Sequence, residues 1–513
     1  MSYIDRPASF ALPAAYQTLG NEPAGLGLDF CAMQGVVCDP ATPANNWLGD
    51  PNAKLTYSSP STKWITNGLG QLVSGTTLRC DHDPATLDTS STPLVSFVTP
   101  GGLSRTVTID GAAVYTVGQI VRLTDAGNIS QWMLGKVTAF NAGTKALTIN
   151  IYAASGVFTC SSWVIIVALG ILIEEQRTNL LKTNSSTLAG FSTDNIVRTD
   201  SGIASPIAGV NYRRVEISAT GTASFYLRTS GIGVTGPMTY SIYIKKGNGA
   251  AAANRFTLRN QTTGVDVVAG TVDYDTGALS GTGAAQCTMT KMADGGWRLT
   301  MTALTGFSAG DEVRVYAGFV GNHASAGDYM LCTGVQIEAG SFATSYIPTT
   351  GAQVTRAADN IRLATAAFPF NPSEGTLAIN ADVQGKNSLD NRVAVIANAS
   401  ALERALDINR ASSGAVNFTV MKGGSATSNI SSVNTDTLGQ PMRLAGVYKV
   451  DDFAGCLNGG TVVIGASGAV AGVVTALYLG AYPTNIRYLN GHLRSLIYFP
   501  RRASNAELQA MTA

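Results

Sequence analysis

"WVIIVALGILIEEQRTNLL", from Trp163 to Leu181, opens with eleven residues that carry no charge. A helix that spans a bilayer needs about 20 consecutive apolar residues, and here two glutamates follow Ile173. The apolar run is therefore too short for a membrane span. Its valines, isoleucines and Gly170 favour buried β-strands over a helix. We expect one strand over Trp163–Val167, a second over Ile171–Ile173, and a junction near Gly170.

Short β-rich runs separated by Gly, Asn, Asp and Ser recur along the rest of the chain, and helical periodicity is nearly absent. In MTYSIYIKKGNG, from Met238 to Gly249, apolar and polar residues alternate as in a half-buried strand. With 13% charged residues and 56 glycines among 513 residues, the composition is typical of an all-β protein with many turns. The C-terminal RRASNAELQAMTA differs, because Ser504 and Glu507 have the spacing of a capping box and predict one short helix.

The formal net charge of +1 gives no long-range field, so neither nucleic acid nor an anionic membrane is an expected partner. The first 20 residues contain Asp5, Arg6 and two prolines, whereas a signal peptide needs an apolar core there. We therefore expect synthesis in a cytoplasm and no export by that route. Seven cysteines at wide intervals without a CxxC pair favour reduced, buried thiols. A disulfide between Cys31 and Cys38 is the alternative.

Two signals divide the chain into blocks. The segment from Gly340 to Gly375 bears Pro, Thr and Ala between strand-rich regions, which predicts a domain boundary near residue 360. The segment TSSTPL, Thr89–Leu94, precedes a compact run of strands that ends at SSWVIIV. This run is the candidate for a separate small unit.

Six motifs stand in order over roughly 330 residues, and as a set they are more specific than any one of them. They are GLDFCAMQG from Gly27, KLTYSSPSTKWITNGLGQLV from Lys54, LRCDHDPAT from Leu78, LGILIEEQRTNLL from Leu169, ADGGWRLTMTAL from Ala293 and YMLCTGVQIEAGSFATSYIPTTGAQVTRAADN from Tyr329. Together they resemble the jelly-roll, carbohydrate-binding-module-like domain of bacteriophage tail-fibre and head-fibre proteins. After residue 361, and above all in LNGHLRSLIYFPRRASNAELQAM, the chain resembles a concanavalin-like or laminin-G-like sandwich.

The resemblance implies an all-β fold: a jelly-roll β-sandwich, interrupted by a small inserted β-module and followed by a concanavalin/laminin-G-like β-sandwich with one short C-terminal helix. The insertion is implied because DHDP and LIEEQRTNLL stand close together in that family, whereas about 80 residues separate Pro84 from Leu169 here. The implied units are an extended N-terminal arm and virion anchor over 1–25, the jelly roll over 26–90 plus 168–360, the module over 91–167 and the C-terminal sandwich over 361–513.

Catalytic patterns are scarce in the sequence. It has three histidines and neither an HExxH motif nor a CxxC redox pair. Glu174 and Glu175 are neighbours and would face apart on a strand, whereas glycoside hydrolysis needs two facing carboxyls. In CDHDP, Cys80–Pro84, a hydrogen-bonding turn is favoured over a metal site. We expect no enzyme, no catalytic residue, no metal and no cofactor; calcium held by loops such as VDYDTG, Val272–Gly277, stays open.

Exposed aromatic side chains can stack on sugar rings while a few amide or guanidinium groups fix the orientation. The resemblance to fibre proteins makes host-surface polysaccharide the expected ligand. Ordinary packing of the same aromatic residues is the alternative. The candidate glycan-binding residues are Trp47, Trp64, Trp132, Tyr482, Asn485, Arg487 and Tyr488.

The resemblance implies a structural bacteriophage virion protein, a fibre or spike that projects from the particle and adheres to the host through receptor-binding, lectin-like domains. Such a protein is made in the host bacterial cytoplasm and located in the virion. Its implied partners are other virion proteins, copies of itself in a homotrimer, and host-surface polysaccharide, without membrane insertion. The alternatives are a collar, head-decoration or tail-assembly protein that only cements other subunits, and a capsule depolymerase.

Overall fold

The structure is a computed structural model. It describes residues 18–19, 22–23, 26–37, 47–49, 53–58, 62–77, 79–96, 103–229, 235–248, 254–323, 326–386, 390–484 and 486–513. Apart from Thr18–Leu19 and Glu22–Pro23, the predicted arm over 1–25 lies outside the described residues.

The N-terminal part of the chain forms strands that join several different sheets. Strands β1 to β10 are Thr18–Leu19, Glu22–Pro23, Leu26–Asp29, Gln34–Val37, Trp47–Gly49, Thr56–Ser58, Lys63–Thr66, Leu72–Gly75, Cys80–Ser90 and Leu94–Ser96. β7 and β8 form a hairpin. The turn predicted over Cys80–Pro84 is wrong, because these residues begin β9, which pairs along the strand that starts at Trp163. That long ladder outweighs the local turn preference of Asp81 and Asp83.

The next strands form a compact antiparallel module with its own core. Strands β11 to β16 are Leu103–Thr108, Ile120–Asp125, Asn128–Asn141, Ala146–Ala154, Phe158–Cys160 and Trp163–Ile173. Five of them pair in the order β11-β14-β13-β12-β16, and β15 pairs with β10. Val107, Leu123, Ile149 and Trp163 are among the fully buried residues of the core.

The jelly roll consists of two facing six-stranded antiparallel sheets. Strands β17 to β30 are Arg177–Asn179, Ser192–Asp194, Ile196–Ala204, Asn211–Ile217, Gly221–Thr229, Met238–Lys245, Arg255–Asn260, Val265–Val272, Leu279–Ser280, Cys287–Lys291, Trp297–Ala303, Val313–His323, Tyr329–Ala339 and Val354–Arg356. A 3₁₀ turn covers Ala284–Gln286. One sheet has the order β18-β21-β28-β23-β24-β25, and the other β19-β20-β29-β22-β27-β26. Phe225, Ile242 and Phe256 fill the core between them.

The C-terminal sandwich packs a seven-stranded sheet on part of a fourteen-stranded one. Strands β31 to β41 are Asn360–Ala364, Glu374–Ala381, Asp390–Ala397, Arg404–Ala411, Ala415–Lys422, Ser425–Thr435, Met442–Lys449, Phe453–Leu457, Val463–Gly465, Ala476–Leu479 and Gly491–Phe499, with a 3₁₀ turn at Thr365–Ala367. The seven-stranded sheet has the order β36-β35-β34-β33-β40-β31-β6. It faces β41, β32, β37, β38 and β39 across a core that includes Leu377, Ile396, Leu406 and Leu444.

The predicted C-terminal helix is present as α1, Asn505–Thr512. Its capping box is complete: the Glu507 N–H donates to Ser504 Oγ at 3.3 Å, and the Ser504 N–H donates to Glu507 Oε2 at 2.7 Å. Leu508 and Met511 are buried in a small core shared with β37 and β38. The all-β fold class, with one short C-terminal helix, is thus confirmed.

The apolar stretch that begins at Trp163 is one strand, β16, and it belongs to two cores. Its first half pairs with β12 and fills the module core. Its last residues pair with β41, Ile171 opposite Leu493, and Ile171 lies in the core of the C-terminal sandwich. Gly170 stands between the halves with φ of 92°, and a Cβ there would meet the Leu493 carbonyl oxygen at 2.2 Å, so the close approach requires glycine.

The cores differ from the predicted domain ranges in the N-terminal part of the chain. Residues 26–90 and 168–360 were expected to share the jelly roll, but Leu26, Leu28 and Phe30 lie in the core of the C-terminal sandwich together with Ile171. The reason is the pairing of β3 with β41, Leu26 opposite Tyr498. The hairpin of β7 and β8, by contrast, packs on the jelly roll through Leu72.

The six cysteines within the described residues are buried and free: Cys31, Cys80, Cys160, Cys287, Cys332 and Cys456. Cys38 lies outside the described residues, so a disulfide with Cys31 stays a hypothesis. Within the described ranges, no helix is long and apolar enough to cross a membrane.

Candidate functional site

The jelly-roll sheet that contains β21 and β28 places aromatic side chains on its outer face. On β28, Val313 and Val315 are fully buried in the core. Arg314 and Tyr316, which alternate with them along the strand, are half-buried. Tyr226 on the neighbouring β21 is half-buried as well. Because successive side chains on a strand point to opposite faces, these tyrosines and arginines lie on the side away from the core.

Strand register brings five of these outer residues into one line. Ser192 on β18 pairs with Tyr226, Tyr226 with Tyr316, Tyr316 with Thr257 on β23, and Thr257 with Ala269 on β24. The two tyrosine rings are 5.0 Å apart between centroids, at 36° to each other. Thr257 is 1% exposed, and its hydroxyl has no hydrogen-bond partner among the described residues. We call these five residues the tyrosine row.

Three guanidinium groups border the tyrosine row, and we call Arg255, Arg259 and Arg314 the arginine group. The Arg314 guanidinium carbon lies 5.0 Å from the centroid of the Tyr226 ring, which is within the range of a cation–π contact. Arg314 pairs with Glu312 at 2.8 Å. Arg259 and Arg255 both reach one carboxylate, that of Asp266, at 2.6 Å and 3.5 Å.

A groove of about 370 Å³ opens at the β24–β25 edge of the same sheet, and Thr271 and Ser280 belong to its lining. Thr271 pairs with Arg255 on one side and with Ser280 on the other, so the groove continues the face that carries the arginine group. Lys246 and Asp275 in the lining form an exposed ion pair of 2.5 Å. The VDYDTG loop joins β24 to β25 as a hairpin at this edge.

Trp64 and Trp132 are each half-buried against another side chain. Trp64 is half-buried, with its ring edge-on to Tyr346 at 5.7 Å. Trp132 is half-buried under Arg122, whose guanidinium carbon is 4.9 Å from the ring centroid. Trp47 lies in β5, of which only the backbone is described.

Of the predicted glycan-binding residues, the structure brings Tyr482 and Arg487 together. The guanidinium carbons of Arg392, Arg404 and Arg487 lie 5.1, 4.8 and 5.9 Å from the Tyr482 ring centroid. Tyr488 is buried, 7% exposed. Asn485 lies outside the described residues.

Two carboxylates stand against the three guanidinium charges around Tyr482. Asp407 pairs with Arg392 and with Arg404, both at 2.8 Å, and Asp390 pairs with Arg487 at 3.2 Å. The Tyr482 hydroxyl accepts a hydrogen bond from Arg404. Burial raises the pKa of Asp407 in spite of its two guanidinium partners. Tyr482, the three arginines and the two aspartates form what we call the Tyr482 cluster.

A second buried charge network joins the CDHDP block to the far end of the chain. His492 Nε2 lies 3.1 Å from Asp81 Oδ2, and His492 Nδ1 lies 3.1 Å from Asp382 Oδ1. Arg494 pairs with Asp382 at 2.6 Å. Burial opposes the charged imidazolium, but the two carboxylates raise the pKa of His492 to about 10. Asp81 therefore serves a structural network, and the histidine between two carboxylates is His492 rather than His82.

The adjacent glutamates follow the end of β16 at Ile173, outside any strand, and have different partners. Glu174 accepts from the N–H and the hydroxyl of Ser345, each at 2.7 Å, and pairs with Arg356. Glu175 lies 2.6 Å from Arg177. Burial opposes the ionisation of Glu174, yet Arg356 lowers the pKa of this carboxyl to about 2. Within the described residues, no group of three His, Cys, Asp or Glu side chains is arranged to hold a metal ion.

A Gly-x-Ser-x-Gly sequence runs from Gly306 to Gly310. In α/β-hydrolases this motif forms a strand–turn–helix elbow, whereas here it is a loop between β27 and β28. The Ser308 N–H donates to Asp311 Oδ2 at 2.8 Å. Ser308 therefore lies in a loop stabilised by an aspartate, outside the structural context that the motif requires.

Sequence reasoning missed Tyr226 and Tyr316 because it searched loops for aromatic residues. The signal was present in the alternation itself. In VRVYAGF, from Val313 to Phe319, the arginine and the tyrosine are two positions apart and alternate with the valines, so they point to the opposite face of the strand. An aromatic residue in register with charged residues marks the solvent face of a strand.

No protein-family model and no curated protein match the chain. Solved structures do match. The N-terminal CBM22-1-CBM22-2 tandem domain of Paenibacillus barcinonensis Xyn10C is 9% identical, with TM-score 0.21, over 64% of this chain and 97% of that one. Domains LG4-5 of the mouse laminin α1 chain are 12% identical, with TM-score 0.20, over 58% and 91%. A Trypanosoma rangeli sialidase is 10% identical, with TM-score 0.25, over 85% and 84%.

The sialidase match contradicts one expectation from the sequence. The sequence predicted that the chain is not an enzyme. That prediction is wrong, because the solved structures that the chain matches include enzymes. At these identities and TM-scores, however, the likeness carries no argument about activity or ligand.

Proposed function

We propose that the chain is a structural bacteriophage virion protein, a fibre or spike that binds host-surface glycan through the outer face of its jelly roll. The virion assignment rests on the resemblance of six ordered sequence motifs to tail-fibre and head-fibre proteins. The glycan assignment rests on one structural observation, the paired outer tyrosines of the tyrosine row.

Tyr226 and Tyr316 have the chemistry and placement of a sugar platform. Their ring centroids are 5.0 Å apart, and both side chains are half-buried on the outer face of the sheet, so part of each stays exposed to solvent. Tyrosine offers such an apolar face together with a hydroxyl at low conformational cost. The nearby arginine group supplies polar atoms that can orient a ligand.

Isothermal titration of the full chain with the purified surface polysaccharide of the host tests the glycan assignment. The double variant Tyr226→Ala/Tyr316→Ala is expected to lose most of the binding. A matched control is Tyr329→Ala, because Tyr329 is half-buried under Arg214, at 3.9 Å, on the other jelly-roll sheet. Binding that is unchanged in the double variant, or lost equally in the control, would exclude the tyrosine row.

The virion assignment has a separate test. Antibody labelling of purified particles is expected to place the chain on a projecting fibre or spike, and light scattering of the purified chain is expected to give the mass of a homotrimer. A chain absent from particles would overturn the assignment. Removing the residues after 360 would be a poor test, because Leu28 and Ile171 pack in the core of the C-terminal sandwich and would lose their partners. Point variants avoid this loss.

A further inference from the structure

We infer that the ligand of the tyrosine row is an acidic glycan, one whose sugars carry carboxylates. This inference rests on the proposed glycan binding and adds the chemical class of the ligand. It is carried by the charges that surround the two tyrosines.

The strand register places like charges opposite one another beside the tyrosines. Arg314 on β28 pairs with Arg259 on β23. Like charges directly opposite each other on an antiparallel pair destabilise a sheet. Two arginines opposite each other on adjacent strands therefore cost stability in the free protein, and an anion between them would relieve the repulsion.

The carboxylates nearby do not balance the arginine group. Glu312 and Asp266 give two negative charges against the three positive charges of Arg255, Arg259 and Arg314. The Arg255 and Arg259 side chains are 48% and 27% exposed, so a ligand in solvent can reach them. The whole chain has a net charge of only +1, and the positive excess at this face is thus local rather than part of a general field.

The geometry favours a carboxylate on a sugar over a free anion. Arg314 lies over the Tyr226 ring at 5.0 Å, and Tyr316 is the neighbouring ring, so a sugar that stacks on Tyr316 brings its ring substituents to the guanidinium. A planar guanidinium matches a carboxylate in shape and hydrogen-bonding pattern. A ligand with both an apolar ring face and a carboxylate engages both parts of the surface.

Binding of the labelled full chain to an immobilised set of paired glycans tests the inference. Each pair is the same oligosaccharide with and without its acidic sugar charge, for example a glucuronate-containing oligosaccharide and its carboxyl-reduced form, or a sialylated oligosaccharide and its desialylated form. The acidic members are expected to bind about tenfold or more tightly, which is the size of one charge-assisted hydrogen bond. The preference should shrink at high salt.

Variants separate the ligand class from the platform. Arg314→Gln and Arg259→Gln are expected to abolish the preference for acidic members, whereas Tyr316→Ala should weaken binding to both members of each pair. Arg362→Gln is the control, an exposed arginine of the C-terminal sandwich, and should change nothing. Melting temperatures show that each variant folds.

Every outcome decides one of the two proposals. Equal or tighter binding to the neutral members overturns the acidic preference and leaves glycan binding intact. Preference for acidic members that persists in both arginine variants also overturns this inference, because another surface then supplies the charge. Absence of binding to every member overturns the proposed glycan binding itself, and the inference falls with it.

Discussion

The jelly roll and the C-terminal sandwich each hold tyrosine, three arginines and two carboxylates in one group, yet they place these groups differently. In the Tyr482 cluster, the Asp407 side chain is 0% and the Arg392 side chain 5% exposed. Around the tyrosine row, the Arg255 and Asp266 side chains are 48% and 34% exposed. The chemistry is nearly the same. The ion pairs of Asp407 and Asp266 differ in burial, whereas the Arg487–Asp390 and Arg314–Glu312 pairs are both partly exposed.

This difference assigns the two groups opposite roles. A buried ion pair that loses one partner leaves an uncompensated charge in a medium of low dielectric, so it locks the local structure. An exposed pair contributes little to stability because water and salt screen it, and it can exchange partners with a ligand. The Tyr482 cluster is therefore expected to stabilise the sandwich, and the arginine group is expected to bind.

The largest expected effect is the loss of Asp407. Asp407→Asn should destabilise the chain by about 3 to 5 kcal/mol, because Arg392 and Arg404 would remain buried without their shared carboxylate. The matched Asp266→Asn should cost less than about 1 kcal/mol. Urea unfolding measures both, and comparable losses would erase the distinction between the two groups.

His492 extends the comparison to a buried histidine. Its raised pKa of about 10, against an ordinary value of about 6.5, means that the imidazolium stabilises the fold fully below about pH 6.5. That contribution declines as the pH rises and is lost as the pH passes about 10. The gap in stability between the native chain and His492→Gln should be about 3 kcal/mol at pH 6 and should close in alkali. A gap that widens with pH would refute the charged histidine.

Tyr226→Ala should separate binding from stability. We expect about tenfold weaker glycan binding, near 1.4 kcal/mol, from the loss of one stacking surface, with little change in unfolding free energy because the ring is half-exposed. Titration and urea unfolding of the same preparation measure the two quantities. A variant that loses stability but keeps its affinity would make Tyr226 a packing residue.

The smallest expected effect is that of Arg255→Gln on stability. A substitution on an exposed side chain away from special backbone features usually changes the unfolding free energy by less than about 0.5 kcal/mol. The melting temperature should therefore stay that of the native chain. A marked drop would show that the pairing of Arg255 with Asp266 is structural after all.

The fold class followed from local signals, and the long-range pairings did not. Alternation at Met238–Lys245 and the capping box at Ser504 and Glu507 act within a few residues, so the sequence displays them. The pairing of Leu26 with Tyr498 joins residues from opposite ends of the chain. No periodicity encodes such a partner. The sequence therefore predicts a junction near Gly170, but it does not show that Ile171 joins the core of the C-terminal sandwich.

The candidate site was less accessible to sequence reasoning than the fold. Tyr482 and Arg487 do meet, but sequence proximity cannot tell that Asp407 and Arg392 come from other strands to enclose them. Tyr226 and Tyr316 are far apart in the sequence and meet only through the β21–β28 register. A platform built across strands is visible only once the register is known.

A structure of the chain with a bound oligosaccharide shows directly whether the tyrosine row is the glycan-binding site. We predict density for a sugar ring stacked on Tyr226 or Tyr316, with a carboxylate directed at Arg314 or Arg259. A sugar bound at Tyr482, Trp64 or Trp132, with no sugar at the tyrosine row, would contradict glycan binding by Tyr226 and Tyr316.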